Sequence, residues 1–508
     1  MNRFKESLLS GKFTITYELI PGRGSSGKEV DPIVEMAHQF KEEIGDVVSS
    51  VSITDNPGGN PALSPILLGK EFKDANIEPI IHFTCKDKSR NEIEALAYAM
   101  ERNGLENILT MSGDYPMSGF LGRSKPVYDL DSVMLVHLLN KMNRGLVDER
   151  GDALPPTNFF IGCVVSPFKN TEAEQMGQYF KLEKKIAMGA QYVVSQLGFD
   201  VKKFYELLQY LRFRDINIPV IGYVFVLSRF VAKMMRKGEI PGCFVPDKLM
   251  QTIEEEAKEQ DKGKRARNER AAQQLAIFKG LGYNGVQIGG FGVTPADIKG
   301  IINRANEIGD NWQEYVENFS FPEEKCFYVF EEDKGLDINR SSLKLSAVAP
   351  KKSQSLLYHF MKVFDWIFFV EGTLRYKLFK AIAHILNKNK LIVKIITKLE
   401  KIGKQILCDC QECGDCALPD LNLLCPESKC AKYSRNGPCG GSNNGKCEAF
   451  PERDCVWVNI YERAKNENEL EKLRSVFVPP RDWNLYATSS WLNFYMGKDH
   501  HSKKNLIS

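Results

Sequence analysis

The stretch Pro79 to Met111, PIIHFTCKDKSRNEIEALAYAMERNGLENILTM, decides the fold. Pro79 to Thr84 is a short, nearly continuous apolar run, as expected of a strand covered on both faces. Ser89-x-x-Glu92 has the form of a capping box that opens a helix, and Asn107 to Met111 is a second such run. A strand, a crossover helix and another strand form the repeating unit of a parallel sheet.

The same alternation extends in both directions, from residue 13 to about 310. The other predicted strands are Phe13 to Ile20, Val47 to Thr54, Phe159 to Val165, Tyr192 to Leu197, Pro219 to Val226 and Gly285 to Ile288. Helix starts are marked by Asp31-Pro32, an N-cap followed by proline, and by Thr294-Pro295 ahead of Ala296 to Ile308. Eight such units in about 300 residues are the count and size of a (β/α)8 barrel of the α/β class. The structural alternative is a doubly wound sheet, whose glycine fingerprint Pro21-Gly22-Arg23-Gly24-Ser25-Ser26-Gly27 approximates only loosely. The expected organisation is a barrel over 1–315, a helical connector over 316–405 and a cysteine-rich domain over 406–508.

With 508 residues, 43% of them hydrophobic, the chain can fill a large core, and a net charge of +3 gives no reason to invoke nucleic acid. The start, MNRFKESLLSGKFTITYEL, lacks a signal-peptide apolar run, so a cytoplasmic location is expected. No run of 18 apolar residues predicts a membrane span. From Leu356 to Ile396 apolar residues recur at helical spacing among lysines, with Asp365 and Glu371 the acids between them. Helices packing one face on the neighbouring domain are expected, with a membrane surface or a partner as the alternative. Ser341 to Ser355 is poorly patterned, Val456 to Arg463 reads as a strand or helix, and Trp483 to Tyr495 forms an aromatic tail.

Eight cysteines crowd one segment as Cys410-x2-Cys413-x2-Cys416, then Cys425, Cys430, Cys439, Cys447 and Cys455. The x2 spacings let thiolates converge on one ion or cluster, and Gly414, Pro426, Pro438, Gly440 and Gly441 supply tight turns. In a reducing compartment these cysteines, with Cys408 beside them, read as metal ligands rather than disulfides, and the odd total of 13 agrees.

Barrel enzymes draw their active-site groups from the C-terminal strand ends. Here those ends carry Glu18, Thr54-Asp55, His82 and Thr84, Gly113-Asp114, Gln196, Tyr223 to Ser228, and Gln287 with Gly289-Gly290. Glu18, inside a buried strand, should have its pKa raised by desolvation and serve as a proton donor, unless a cation pairs with it. Gly113 lets the backbone approach a ligand while Asp114 projects; the plain alternative is a helix cap. His82 could contact a ligand or be a satisfied core histidine, and Gln196 could read the amide edge of a heterocycle or bond a loop backbone.

Taken together, Tyr17-Glu18, Val51-Ser-Ile-Thr54, His82-Phe-Thr-Cys85, Asn107-Ile-Leu-Thr-Met-Ser-Gly-Asp-Tyr-Pro116, Val127-Tyr-Asp-Leu-Asp131 and Ser195-Gln196 resemble the barrel of methylenetetrahydrofolate reductases, especially the bacterial forms. Cys413-Gly-Asp-Cys416, Cys425-Pro426 and Arg435-Asn-Gly-Pro-Cys-Gly-Gly441, leading to Cys455-Val-Trp-Val458, resemble the zinc-associated C-terminal domain found beside this reductase. The resemblance implies a flavin, FAD with FMN as the alternative, that passes hydride to 5,10-methylenetetrahydrofolate. NAD(P)H is the implied electron donor.

By the same resemblance Glu18 is the general acid, Asp114 favours a cationic intermediate, and Gln196 bonds the pterin or the nicotinamide. Thr54, His82, Ser112, Gly113, Asp114 and Tyr128 would hold the flavin, with Lys185 near its phosphate end. Two departures bear on the adenine half: Asp55-Asn-Pro-Gly-Gly59 stands where simple NADH-dependent forms have an aromatic, and Gln178 where an acid is frequent. Phe230 is nearest to the position of the aromatic that covers the flavin. The competing functions are a zinc-dependent folate methyltransferase and an electron-transfer or docking component carrying an iron–sulfur cluster. The expected partners are a folate, a second copy of the chain, and a redox protein at the C-terminal domain.

Overall fold

A computed structural model of the chain describes residues 2–148, 150–240, 242–323, 326–331, 336, 345–346, 349 and 356–502. The chain forms two compact units, Met1–Ala347 with Cys439–Asn444, and Val348–Pro438 with Gly445–Ser508.

The first unit is built on eight parallel strands: β1 (Thr14–Leu19), β2 (Ser50–Ile53), β3 (Pro79–Thr84), β4 (Asn107–Met111), β5 (Phe160–Val165), β6 (Tyr192–Ser195), β7 (Val220–Phe225) and β8 (Gly285–Gly289). They pair in sequence order, and β8 returns to β1 in the register Thr14↔Gly285 to Tyr17↔Ile288. This closure rules out the doubly wound sheet, whose edge strands stay unpaired. The strand predicted from Val47 starts only at Ser50, because the N–H groups of Val47 and Val48 donate to the Ile44 carbonyl and close the preceding helix.

The expected helix starts hold at Ser89 and Thr294, whose side chains accept from the N–H groups of Glu92 and Asp297. At Asp31 the expectation is off by one residue. Val30 is the cap position, and the Asp31 carboxylate lies in the first turn, accepting from Gly27 N at 2.8 Å. A helix not anticipated from the sequence, Arg3–Leu9, puts Phe4 and Leu8 into a cluster with Ile80, Leu109, Phe160, Tyr192, Val194 and Ile221. Gly162 makes room for this filling, since a Cβ there would meet the Tyr192 ring at 2.1 Å. Cys439–Asn444 is held in this unit by Lys169, whose buried ammonium donates to the carbonyls of Gly440 and of Ser442 (2.6 Å).

In the second unit the connector forms three helices, Leu356–Phe368, Leu374–Leu386 and Lys390–Cys408, the last two N-capped by Thr373 and Asn389. Their inner faces pack on the C-terminal region, with Phe379, Ala383, Val393 and Ile396 against Leu492 and Tyr495. Val456 to Arg463 belongs to a helix, Val456–Asn466, and the aromatic tail contains the helix Ser490–Tyr495. Of the poorly patterned stretch Ser341 to Ser355, all but Leu345, Ser346 and Ala349 lies outside the described residues. No helix among the described residues is long and apolar enough to cross a membrane.

Candidate active site

Because all eight strands are parallel, their C-terminal ends share one rim. The barrel interior is apolar where the helix Arg3–Leu9 enters it and polar further along the strands. Glu18 of β1 lies in register with Ser52 of β2. Its carboxylate accepts from the Tyr223 hydroxyl of β7, and from Gln287 Nε2 of β8 at 3.1 Å. Burial outweighs the Tyr223 hydrogen bond and raises the Glu18 pKa to about 7, so this carboxyl holds its proton close to neutrality. The same pairing pushes Tyr223 well above the usual tyrosine range, burial being the larger cause. Gly289 is required beside it, as a Cβ there would stand 2.4 Å from the Tyr223 oxygen.

His82 of β3 shares a hydrogen bond of 2.7 Å with the Ser52 hydroxyl, and burial lowers its pKa to about 4, leaving a neutral imidazole. Just past β2, Asp55 accepts from Thr84 N (3.1 Å), Thr84 Oγ1 (2.7 Å) and Lys88 (2.8 Å), which ties the ends of β2 and β3 together. Thr54 is buried, and its hydroxyl has no hydrogen-bond partner among the described residues.

After β4, Gly113 has φ +80°, and a Cβ there would meet Lys86 and Thr84 at 2.8 and 2.9 Å, so only glycine fits. Asp114 accepts from Gly58 N at 2.8 Å, and its carbonyl accepts from the Tyr128 hydroxyl at 2.7 Å. Ser112 is buried, 3.4 Å from the Ser132 hydroxyl. Gln196, one residue past β6, accepts from Leu197 N at 2.9 Å. Phe230, in the first turn of the helix after β7, is exposed, and Gln178 is buried with its Nε2 unpartnered among the described residues.

Lys185 is buried and donates to Val164 O at 2.7 Å. Burial lowers its pKa to about 8 and that of the adjacent Lys184 to about 7, with Lys181 adding repulsion to both. Cys85, directly after β3, feels the charge of Lys185 and Asp131, so these groups are neighbours of the strand ends. Crowded buried ammoniums with depressed pKa values are the complement of a phosphate, and a hydroxyl without a partner at Thr54 is the complement of a heterocycle. The residues present therefore fit a flavin nucleotide.

Cys408, Cys410, Cys413, Cys416 and Cys425 form no disulfide among the described residues. Cys410, Cys413, Cys416 and Cys425, with Cys408, influence one another electrostatically. Burial first, and the neighbouring sulfurs after it, raise Cys408 and Cys413 to about 12 and Cys425 to about 11. Cys408 is buried and the other four are half-buried; thiols clustered in this way are ones a metal dication would deprotonate, so the donor set fits a metal. Cys439 lies in the segment Cys439–Asn444 of the first unit. The tightest donor groups among the described residues contain no cysteine: Asp420–His500–His501 and Asp415–Asp499–His500, each with its donors within 4.8 Å of one another.

The geometry thus brings Glu18 together with Tyr223 and Gln287, and His82 with Ser52. Tyr223 and Gln287 stand among the strand-end residues singled out from the sequence, but only the structure makes them partners of Glu18. Their signal was a polar atom inside an otherwise apolar run, the same one that marks Glu18. The grouping of Asp415, Asp420 and the Asp499-His500-His501 triplet is not legible in the sequence, since ordinary acids in a loop and a histidine pair carry no spacing signature.

Residues 3–287 match the sequence model described as methylenetetrahydrofolate reductase, and residues 389–484 the one described as methylene-tetrahydrofolate reductase C terminal. The 5,10-methylenetetrahydrofolate reductase of Pectobacterium carotovorum is 26% identical over 235 residues, 44% of this chain and 67% of that protein. Methylenetetrahydrofolate reductase 1 of Schizosaccharomyces pombe is 24% identical over 258 residues, 50% of this chain and 40% of that protein. Among solved structures, an uncharacterised Clostridium thermocellum protein described as binding two copies of 5-methyl-5,6,7,8-tetrahydrofolic acid aligns with TM-score 0.43 and 16% identity, covering 60% of this chain and 98% of that one. The chain is an enzyme that belongs to the methylenetetrahydrofolate reductase family.

Proposed function

We propose that this enzyme uses a bound flavin to reduce 5,10-methylenetetrahydrofolate to 5-methyltetrahydrofolate in the cytoplasm, with NAD(P)H or a protein redox partner as the electron source. The observation that carries this reading is Glu18, a carboxyl kept protonated near pH 7 by burial, with Tyr223 and Gln287 fixing its oxygens. Opening the five-membered folate ring to an iminium ion requires a proton on a ring nitrogen, and a general acid with a pKa near the working pH is suited to supply it. Asp114, anchored by Gly58 N and Tyr128, holds a negative charge at the same rim, which favours the cation. Gln196 can both donate to and accept from the pterin or, in its turn, the nicotinamide.

A bound flavin supplies the hydride chemistry. The residues that would hold it are Thr54, His82, Ser112, Gly113, Asp114 and Tyr128, with Lys185 and its neighbours Lys184 and Lys181 receiving phosphate. FAD is the reading carried forward. FMN competes with it, because Gln178 offers no carboxylate to an adenosine ribose. For the cysteines we assign zinc in closed four-thiolate coordination, drawn from Cys410, Cys413, Cys416, Cys425, Cys430, Cys439, Cys447 and Cys455, with the first four as the leading set. A catalytic zinc keeps an open position, and so many thiols argue against the methyltransferase reading.

The test is Glu18→Gln, assayed in separate half-reactions. Folate reduction should slow by about 10²- to 10⁴-fold while flavin reduction by the donor is spared. Equal loss in both halves, with flavin still bound, overturns the assignment.

A further inference from the structure

We propose that the three connector helices of the second unit form a surface that binds anionic lipid. Helix Lys390–Cys408 carries two apolar faces, and only one is used by the fold. Val393 and Ile396 pack inward. Leu391, Ile395, Leu399, Ile402 and Ile406 are exposed, Ile406 at 78%. At 3.6 residues per turn these five fall within an arc of about 80°, a single stripe along the helix. Lys390, Lys394, Lys398 and Lys401 occupy the adjoining arc, also about 80° wide.

The preceding helix, Leu374–Leu386, repeats the arrangement. Leu374, Leu378, Ile382 and Ile385 form its exposed stripe, Leu374 at 83%, with Lys377 and Lys380 to the same side as the lysines of the next helix. In the first helix Leu356, Phe360 and Val363 are exposed in the same way. Residues 356–408 hold ten Lys or Arg against three Asp or Glu, a net of +7 in a chain whose total is +3.

Uncovered apolar stripes flanked by lysines are the form of helices that lie in a membrane interface, the aliphatic side chains entering the acyl boundary and the ammoniums reaching the headgroups. The charge selects the occupant. Lys362 and Lys401 pair with Glu467 and Glu412, while Lys390, Lys394 and Lys398 stand beside the apolar stripe; a second copy would set these like charges against each other, whereas an anionic bilayer satisfies the stripe and the lysines together. None of these helices is long and apolar enough to cross a membrane.

The experiment is flotation of the full-length protein with vesicles of phosphatidylcholine alone, or of phosphatidylcholine mixed with phosphatidylglycerol. The protein should float with the mixed vesicles, stay behind with the neutral ones, and be released by salt. Lys394→Gln with Lys398→Gln should weaken binding by about 30-fold, about 5-fold per lysine. Ile395→Ser with Leu399→Ser should abolish it. All four positions are exposed, so folding and folate activity should be unchanged. Flotation with neither vesicle, or equally with both, overturns the proposal. So does a concentration-dependent dimer, in the absence of lipid, that the Ile395→Ser with Leu399→Ser variant dissolves, which would give the face to a second copy.

Discussion

Tyr223→Phe removes one hydrogen bond and almost no volume, so it isolates the electrostatic setting of Glu18. The Tyr223 hydroxyl donates to a Glu18 oxygen and stabilises the ionised form, which lowers a pKa that burial alone would place still higher. A hydrogen bond to a charged group contributes about 1.5–3 kcal/mol, and 1.36 kcal/mol corresponds to one pKa unit. Removing the hydroxyl should therefore raise the Glu18 pKa by about 1–2 units from its present value near 7. As the acid form is the active one, the folate half-reaction of the wild type should fall as pH rises through about 7, and in the variant that fall should move to higher pH. The assay is stopped-flow oxidation of the prereduced flavoprotein by methylenetetrahydrofolate across pH 6 to 10, with flavin reduction as the internal control. A falling limb that stays in place or shifts to lower pH, in a variant that still binds flavin, refutes the assignment of Tyr223 as the group that tunes the acid.

Glu18→Gln also makes a prediction about stability. A carboxyl with an ordinary pKa of 4.5 and a folded value of about 7 stays protonated in the fold while the unfolded chain ionises, so stability is lost as pH rises from about 4.5 through 7. The shift corresponds to about 3 kcal/mol, so the variant apoprotein should resist denaturant better than wild type at pH 8 by up to that amount and match it at pH 4. Metal analysis of the purified protein should find zinc, which Cys416→Ser with Cys425→Ser should remove. Iron with broad visible absorption would transfer the cluster to electron transfer.

The barrel was legible because each strand carries its own evidence, an apolar run between turn residues, and because eight such runs fit one closed architecture. Glu18 and Asp114 were legible for a related reason, as polar groups at strand ends where burial is expensive. The helix Arg3–Leu9 is not legible in the sequence because a seven-residue helix with two buried positions has no periodicity to read; Phe4 and Leu8 fill the end of the barrel. The cap at Asp31 was misplaced by one residue because the turn before it decides which residue starts the helix.

The sequence by itself determined the closed barrel, the strand-end rim where the candidate site lies, the thiol-rich segment and the family. Only the tertiary structure decided what surrounds the acid: Tyr223 lies 205 residues from Glu18 and Gln287 lies 269 residues away. They become its partners because β8 closes onto β1 and carries β7 with it, and the pKa of Glu18 follows from that enclosure. A residue's type and its place on a strand are local properties, but the loss of water around it and the hydroxyl opposite exist only once the barrel has closed.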